Sequence, residues 1–320
     1  MNLGFFGDLH YSIRPPARRS EDYGDQLLAK LEYIQSARKK VRVSDLFSTG
    51  DWFHRKLHHS YSFSELNKLL GCLKGRIYSI IGNHDITGYQ VKSERYKAIG
   101  ALLRSGKVRW LDKKPYINDL VEIRGVSYKA GYNAIDNFTE SRFTTEDGQL
   151  RILITHAALF KSRPPYDDHI LLSDLKKAAK KIEPDIIING HVHSPDFFVE
   201  EYVPGKYVFQ LGTIGRDSID LKKYQPRFLI LRVTNDNWTH KWMRIPIEKD
   251  VWVAEADDVI DDTEEEIKAL AEEIVEEGQE MNVNDLDDLV DLGIKKLGLK
   301  KKYKDFRLHN KVTSLMEVER

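Results

Sequence analysis

The sequence has almost no cysteine, no excess of either charge and no long hydrophobic run. A single cysteine, Cys72, stands among 320 residues and excludes a disulfide within the chain. Fifty basic residues balance 50 acidic ones, so the overall charge does not indicate nucleic-acid binding. No stretch approaches the roughly 20 apolar residues of a membrane-spanning helix, so we expect no membrane partner.

The N-terminal residues lack the features of an export signal. The apolar run after Met1 is too short for a signal peptide and leads directly to Asp8, so we expect a cytoplasmic location. The chain is 41% hydrophobic. At this length it can bury a full core and leave room for a second, smaller domain.

Five short apolar runs predict buried strands. They are rich in β-branched or aromatic residues, which is typical of strands buried on both faces. These runs are residues 3–6, 45–49, 76–81, 150–155 and 185–189. Apolar residues at helical spacing lie between the runs, first Leu27, Leu31 and Ile34, and then Phe63, Leu66, Leu69 and Leu70. This alternation predicts an α/β domain.

A short polar motif follows each predicted strand. The motifs are Asp8-Leu-His10, Gly50-Asp51-Trp-Phe-His54, Gly82-Asn83-His84-Asp85, Thr155-His156 and Gly190-His191-Val-His193. Ligands of open α/β sheets gather at the carboxyl ends of the strands, so these motifs are expected to form one shared site.

The residue types in these motifs suit divalent metal ions. Carboxylate, imidazole and amide oxygen donors favour manganese, iron or zinc over a metal that prefers thiolates. Any one motif alone would more often be a turn or a surface histidine, but the ordered set predicts a metal site. The remaining histidines have no such context and are interpreted as surface or packing residues: His58, His59, His169, His240 and His309.

Over residues 1 to about 245, this motif set resembles the calcineurin-like metallophosphoesterase superfamily. The resemblance implies an α/β fold in which a β-sandwich is flanked by helices, in the layer order α/β/β/α. It also implies two divalent metal ions, with manganese preferred and iron, zinc or magnesium as alternatives. The ligands carried over to this sequence are Asp8, His10 and His193 for one metal, Asn83, His156 and His191 for the other, and Asp51 as the bridge.

Three further residues receive catalytic roles. His84 is expected to protonate the leaving-group oxygen as a general acid, and Asp85 to orient and charge its ring. His54 is expected to be a second group beside the bound phosphate. Two metals and a general acid predict hydrolysis of phosphate esters.

Two motifs suggest a narrower group within the superfamily. Gly50-Asp51-Trp52-Phe53-His54 and Ile81-Gly82-Asn83-His84-Asp85 resemble the SbcD-type DNA double-strand-break nucleases. Phosphoprotein phosphatases would carry Gly-Asn-His-Glu, where this chain has Asp85. The resemblance implies a DNA exonuclease and endonuclease of repair or recombination, a homodimer, and an SMC-like coiled-coil ATPase as partner.

Basic loop residues support a polyanionic substrate, because Lys and Arg side chains bind a phosphate backbone without reading its sequence. The residues expected around the mouth of the site are Arg14, Arg18, Arg19, Arg55, Lys56, Lys92, Arg95, Lys161 and Arg163. An alternative is that loops are commonly basic somewhere on the surface.

The composition changes after residue 250, so we predict a phosphoesterase domain over 1–250 and an acidic helical region with a basic tail over 251–320. Apolar stripes predict two helices there. They form either a hairpin packed on itself or on the first domain, or a reduced cap or partner-docking element. Only 70 residues follow residue 250, fewer than a typical cap with a docking segment.

Two other classes of function stay open at this level. The first is a small-molecule phosphodiesterase or phosphatase, which would need a closed pocket built from loops such as residues 132–143. The second is an interaction module without activity, which the complete set of ligands disfavours. The homodimer is equally open, because the stripe from Phe63 to Leu70 fits a core helix as well as an interface.

Overall fold

Most of the first 252 residues are described by the computed structural model. It describes residues 1–12, 15–16, 19–20, 22–54, 63–86, 98–128, 135–139, 141–144, 148–163, 169–193, 198–218, 221–249 and 251–252. Residues 1–254 form one compact unit. The predicted C-terminal region lies outside the described residues except for 251–252, so its helices and the domain division stay predictions.

Strands alternate with helices along much of the described chain. The described strands are β1 (Asn2–Phe6), β2 (Asp45–Ser48), β3 (Ile77–Ser79), β4 (Val108–Trp110), β5 (Tyr116–Ile117), β6 (Val121–Val126), β7 (Leu150–Thr155), β8 (Leu159–Phe160), β9 (Ile170–Leu171), β10 (Ile186–Asn189), β11 (Phe198–Val203), β12 (Lys206–Gln210), β13 (Arg227–Val233) and β14 (Trp238–Arg244). The described α-helices are α1 (Tyr23–Lys40), α2 (Phe63–Cys72), α3 (Ala98–Arg104), α4 (Asp136–Thr139) and α5 (Leu172–Ala178).

All the described strands except β8 and β9 build two six-stranded sheets. The first has the order β14-β13-β1-β2-β3-β4 and the second the order β11-β12-β10-β7-β6-β5. Each sheet contains a run of four parallel strands, β1 to β4 in the first and β12, β10, β7 and β6 in the second. The outer pairings β1 with β13, β13 with β14, β11 with β12 and β5 with β6 are antiparallel. The five predicted strands are therefore the inner strands β1, β2, β3, β7 and β10.

The two sheets pack face to face over one apolar core. Leu3 and Phe5 of β1 are buried there with Ile152 and Ile154 of β7 and with Phe209 of β12. Side chains alternate between the faces of a strand, so Phe6 of β1 points to the opposite face. The strands are apolar on both faces because each sheet is covered on both sides.

Helices cover the outer faces of the sandwich. Leu27, Leu31 and Ile34 of α1 pack with Leu69 of α2 on the first sheet. Leu175 of α5 packs with Ile187 and its neighbours on the second sheet. The four layers confirm the α/β/β/α architecture.

The stripe of α2 behaves as a core helix. Leu69 is fully buried, and Leu66 and Leu70 pack against the same core. The stripe therefore adds no support for a homodimer, which stays a prediction. Within the described ranges, no helix has the length and apolar character needed to cross a bilayer.

Candidate metal centre

The predicted site residues lie at the carboxyl ends of inner strands from both sheets. Asp8 and His10 follow β1, Asp51 and His54 follow β2, Asn83 to Asp85 follow β3, His156 follows β7, and His191 and His193 follow β10. Parallel strands bring these ends to the same edge, and the two sheets face each other across it. Seven of these side chains, scattered over 186 positions, therefore meet in two adjoining groups that share Asp51.

The backbone is left-handed at three of these positions. His10 has φ of 48°, Asp51 of 45° and His191 of 74°, and the only other such residue besides glycine in the described chain is Arg42. This region is unfavourable for residues with a Cβ atom and persists where the surroundings enforce it. Here the N–H groups of Leu9 and His10 both donate to the Asp51 carbonyl, at 3.0 and 2.9 Å. The strain turns the side chains inward at the strand ends.

The first group of donors is Asp8, His10, Asp51 and His193. The Nε2 atoms of His10 and His193 are 2.8 Å apart. His193 Nε2 lies 3.3 Å from Asp8 Oδ2, and His10 Nε2 lies 3.5 Å from Asp51 Oδ2. The four donors lie within 4.8 Å of one another, close enough to ligate one ion.

The second group of donors is Asp51, Asn83, His156 and His191. Asn83 Oδ1 lies 3.0 Å from His156 Nε2 and 2.8 Å from His191 Nδ1. His156 Nε2 is 3.2 Å from Asp51 Oδ2. The same Asp51 oxygen therefore faces both groups, which is the geometry required of a bridging carboxylate.

Neighbouring groups fix the orientation of these donors. Thr49 Oγ1 donates to Asp8 Oδ1 at 2.9 Å, and the Thr49 carbonyl lies 2.8 Å from His156 Nδ1. The N–H groups of His191 and His84 donate to Asp8 Oδ2 and Asp51 Oδ1, both at 2.8 Å. A histidine whose Nδ1–H donates to a carbonyl presents the lone pair of Nε2, as a metal ligand must.

In each group, one histidine tends to hold a proton and the other to lose it. Burial acts to lower the pKa of His193 and of His156, but nearby carboxylates outweigh it and raise these values to about 10 and about 9. Burial and neighbouring histidines lower the pKa of His10, and lower that of His191 to about 3. Each group therefore holds one protonated imidazole without metal, and a divalent cation would replace that proton. The donor set fits two such ions.

His84 lies beside both groups but belongs to neither. Its ring is 4.8 Å from the His10 ring, and its Nδ1 atom pairs with the backbone carbonyl of His54. His84 also lines a cleft of about 410 Å³ with Asp51, Asn83, Phe160, His191, Val192 and His193. Its position is open to substrate, as a general acid requires.

Asp85 does not hold the His84 ring, contrary to our expectation. Its carboxylate accepts hydrogen bonds from the backbone N–H groups of Trp52, Phe53 and Gly82, at 2.9, 3.3 and 3.1 Å. Residues 83–85 form a 3-10 turn, in which neighbouring side chains diverge by about 120°. Asp85 therefore fastens the loop after β2 to the loop after β3.

The sequence interpretation missed Asp217. Its Oδ2 atom lies 3.6 Å from His193 Nδ1 and 3.7 Å from His54 Nδ1. Asp217 lies outside the five short motifs, and no repeated residue pattern marks it. Of the other histidines, His240 is exposed on β14 and His169 contacts Phe160, while His58, His59 and His309 lie outside the described residues.

The structure describes three of the nine basic residues that we expected around the mouth of the site, here called the basic rim. Arg19 was expected on it, but this side chain is buried between the rings of Tyr23 and Trp252. Lys161 is exposed and pairs with Glu200, and Arg163 is exposed. The other rim residues, Arg14, Arg18, Arg55, Lys56, Lys92 and Arg95, lie outside the described residues. The rim stays a prediction, without Arg19.

Residues 1–195 match the family model described as calcineurin-like phosphoesterase, which is more than half of the chain. The chain belongs to this family. Its members hydrolyse phosphoesters with two divalent metal ions. The two donor groups of this chain provide ligands for such ions. No curated protein matches the sequence.

Solved structures resemble the chain only distantly. A provisionally named 5′-nucleotidase from Staphylococcus aureus is 15% identical, with a TM-score of 0.49, and the match covers 81% of this chain and 57% of that one. A dimetal phosphatase from Danio rerio is 12% identical, with a TM-score of 0.49 and coverage of 78% and 97%. A metallophosphoesterase from Sphaerobacter thermophilus is 13% identical, with a TM-score of 0.39 and coverage of 98% and 99%. The chain thus spans little more than half of the nucleotidase.

Proposed function

We propose that this protein is a metal-dependent nuclease that hydrolyses phosphodiester bonds of DNA. The observation that carries the proposal is the position of His84, an imidazole that belongs to neither donor group and lines the cleft beside both. Cleavage of DNA expels an alkoxide, which leaves poorly unless it is protonated. A general acid at this position supplies that proton.

Hydrogen bonds to the ring and to the backbone of His84 hold it in place for this role. The His54 carbonyl accepts from Nδ1–H, which fixes the ring and turns Nε2 toward the cleft. Asp51 holds the His84 backbone N–H, so the acid and the bridging carboxylate are fixed relative to each other. When bound, two divalent cations, with manganese preferred, supply the positive charge that stabilises the attacking and leaving oxygens.

The choice of DNA rests on sequence motifs. The forms Gly50–His54 and Ile81–Asp85 resemble the SbcD-type nucleases, and exposed Arg163 and Lys161 lie on the loop after Phe160, which lines the cleft. The same resemblance supports a homodimer and an SMC-like ATPase as partner, and the region after residue 252 is our candidate for docking it.

A second candidate is a phosphodiesterase or phosphatase that acts on nucleotides or other small substrates. The cleft volume of about 410 Å³ favours it, because pockets for small molecules have volumes of about 300–1,000 Å³. Both candidates use the same metal ligands. They differ in whether a long duplex reaches the cleft.

The test compares linear double-stranded DNA with bis-p-nitrophenyl phosphate as substrates, in manganese and then in magnesium. We expect manganese-dependent degradation of DNA by the full chain. His84→Ala should lose DNA cleavage but keep much of its activity on the activated aryl diester, whose leaving group needs no proton. His240→Ala, an exposed histidine on β14, is the matched control and should retain both activities.

Two results would contradict the proposal. Hydrolysis of the small diester with intact DNA would favour the second candidate. Equal losses of both activities in His84→Ala would show that His84 does not act as the general acid.

A further inference from the structure

Asp217 is held firmly at the edge of the metal centre. The segment before it is fixed to Asp8, since Thr213 Oγ1 donates to the Asp8 carbonyl and the Ile214 N–H donates to the same oxygen, both at 2.9 Å. The neighbouring Arg216 side chain donates to the carbonyls of Lys222 and Glu248, at 3.0 and 2.7 Å. The backbone around Asp217 is therefore fastened to a ligand strand and to the segment after β14.

The Asp217 carboxylate faces two histidines at once. Its Oδ2 atom is at ion-pair distance from the Nδ1 atoms of His193 and His54, at 3.6 and 3.7 Å, and its side chain is only 10% exposed. His193 belongs to the first donor group, whereas His54 supplies the carbonyl that pairs with His84. One carboxylate thus contacts both a metal ligand and the residue that supports the candidate acid.

The two nitrogens of His193 have separate partners. Nδ1 faces Asp217, and Nε2 faces the other donors, 2.8 Å from His10 Nε2 and 3.3 Å from Asp8 Oδ2. A ligand histidine commonly donates its second N–H to a carboxylate, which fixes both its tautomer and the direction of its lone pair. The carboxylates of Asp8 and Asp51 already lie on the metal side of His193. Asp217 is therefore the carboxylate that can accept from its second nitrogen.

We propose that Asp217 is a positioning residue that orients His193 toward the first metal and fixes His54 beneath His84. Donor atoms of Asp217, His54 and His10 also lie within 4.8 Å of one another, but in this proposal Asp217 acts through the two histidines, is not itself a ligand of the first metal and touches no substrate. The inference concerns metal binding and holds for any phosphoester substrate, so it does not depend on whether the protein cleaves DNA.

The test is calorimetric titration of the metal-free full chain with manganese, comparing Asp217→Ala with Asp217→Asn. We expect two ions to bind the wild type. Asp217→Ala should weaken one ion by about 10–100-fold, the usual cost of losing such a partner, and leave the ion held by Asn83, His156 and His191 unchanged. Asp217→Asn keeps an oxygen that accepts from Nδ1–H, so it should bind both ions within a few-fold of the wild type.

The controls separate positioning from general damage to the fold. Asp236→Ala removes an exposed carboxylate in the turn between β13 and β14 and should bind both ions as the wild type does. Thermal unfolding without metal should be similar in the wild type and Asp217→Asn. Wild-type affinity of both ions for Asp217→Ala would overturn the proposal. Equal weakening by Asp217→Asn would also overturn it, because charge and not orientation would then be the cause.

Discussion

At the scale of single residues, each donor group contains two histidines whose pKa values are shifted in opposite directions. Asp217 and Asp8 surround His193, and Asp51 and Asp8 surround His156, whereas burial dominates at His10 and His191. One histidine of each pair therefore carries a proton at neutral pH when no metal is bound. Protons and metal ions compete for these nitrogens, which couples metal affinity to pH.

We predict that filling both sites near pH 7 releases about two protons, one from each pair. Nearby carboxylates raise the pKa values of His193 and His156 to about 10 and about 9, so the apparent metal affinity should rise with pH up to about pH 10 at the first site and about pH 9 at the second, and then level off. Titration calorimetry in buffers of different ionisation enthalpy measures the proton count. The number of protons released should fall by about one in His156→Asn and stay unchanged in His240→Ala. Heats that do not vary with the buffer would contradict the prediction.

The roles of single residues were predictable only where a motif marked them. Asp51 was recognised because it lies in a motif directly after a buried strand, and its Oδ2 atom faces both donor groups. Asp217 lies 24 positions after His193 and contacts it only through the tertiary fold. Asp85 sits inside a motif, yet its partners are backbone groups of another loop, which a linear pattern does not reveal.

At the scale of elements, the buried inner strands could be predicted, whereas the two-residue strands and the partly exposed β11 could not. β1, β2, β7 and β10 are short runs of apolar residues because both of their faces are covered. β5, β8 and β9 have two residues each, and β11 carries an exposed glutamate. Such strands take their conformation from their neighbours, and their sequences have no period of their own.

The loops after these strands pack tightly enough to position the ligands. A Cβ atom at Gly82 would lie 2.0 Å from Asp51 Oδ1, so only glycine allows the loop after β3 to approach the bridging carboxylate. Together with the hydrogen bonds from Trp52 and Gly82 to Asp85, this contact fixes the distance between two ligand loops.

We predict that Gly82→Ala reduces hydrolysis of bis-p-nitrophenyl phosphate by about 100-fold or more, because displacing a catalytic group by about 1 Å costs that much. Gly71→Ala is the matched control. A Cβ atom there, in helix α2, would meet nothing within 4 Å, so activity should be unchanged and the protein slightly more stable. Wild-type activity in Gly82→Ala would show that the loop shifts freely and that the contact does not position Asp51.

At the scale of the whole molecule, the segment after β14 completes the first unit. Lys30, Arg19 and Arg216 are at most 4% exposed and lie close together under this segment. Glu248 pairs with Lys30 and with Arg216, each at 3.3 Å, and Trp252 covers the Arg19 guanidinium at 4.9 Å. The change in composition at residue 250 predicts a domain boundary there, and that position falls inside this segment. The buried cations show that residues 248–252 belong to the same unit.

This arrangement predicts different outcomes for two truncations. A chain ending at residue 254 should stay folded and hydrolyse a small diester, whereas one ending at Pro246 loses Glu248, the carboxylate that pairs with buried Lys30 and Arg216. Removing one partner of a buried ion pair costs about 3 kcal/mol or more, which corresponds to a loss of roughly 6–12 °C in Tm. Thermal unfolding of both chains measures this difference, and Glu248→Gln in the full chain is the matched variant, since it removes the charge and keeps the segment. Equal Tm values for the two truncated chains would mean that the cations are compensated elsewhere, and that residues 248–252 do not close the unit.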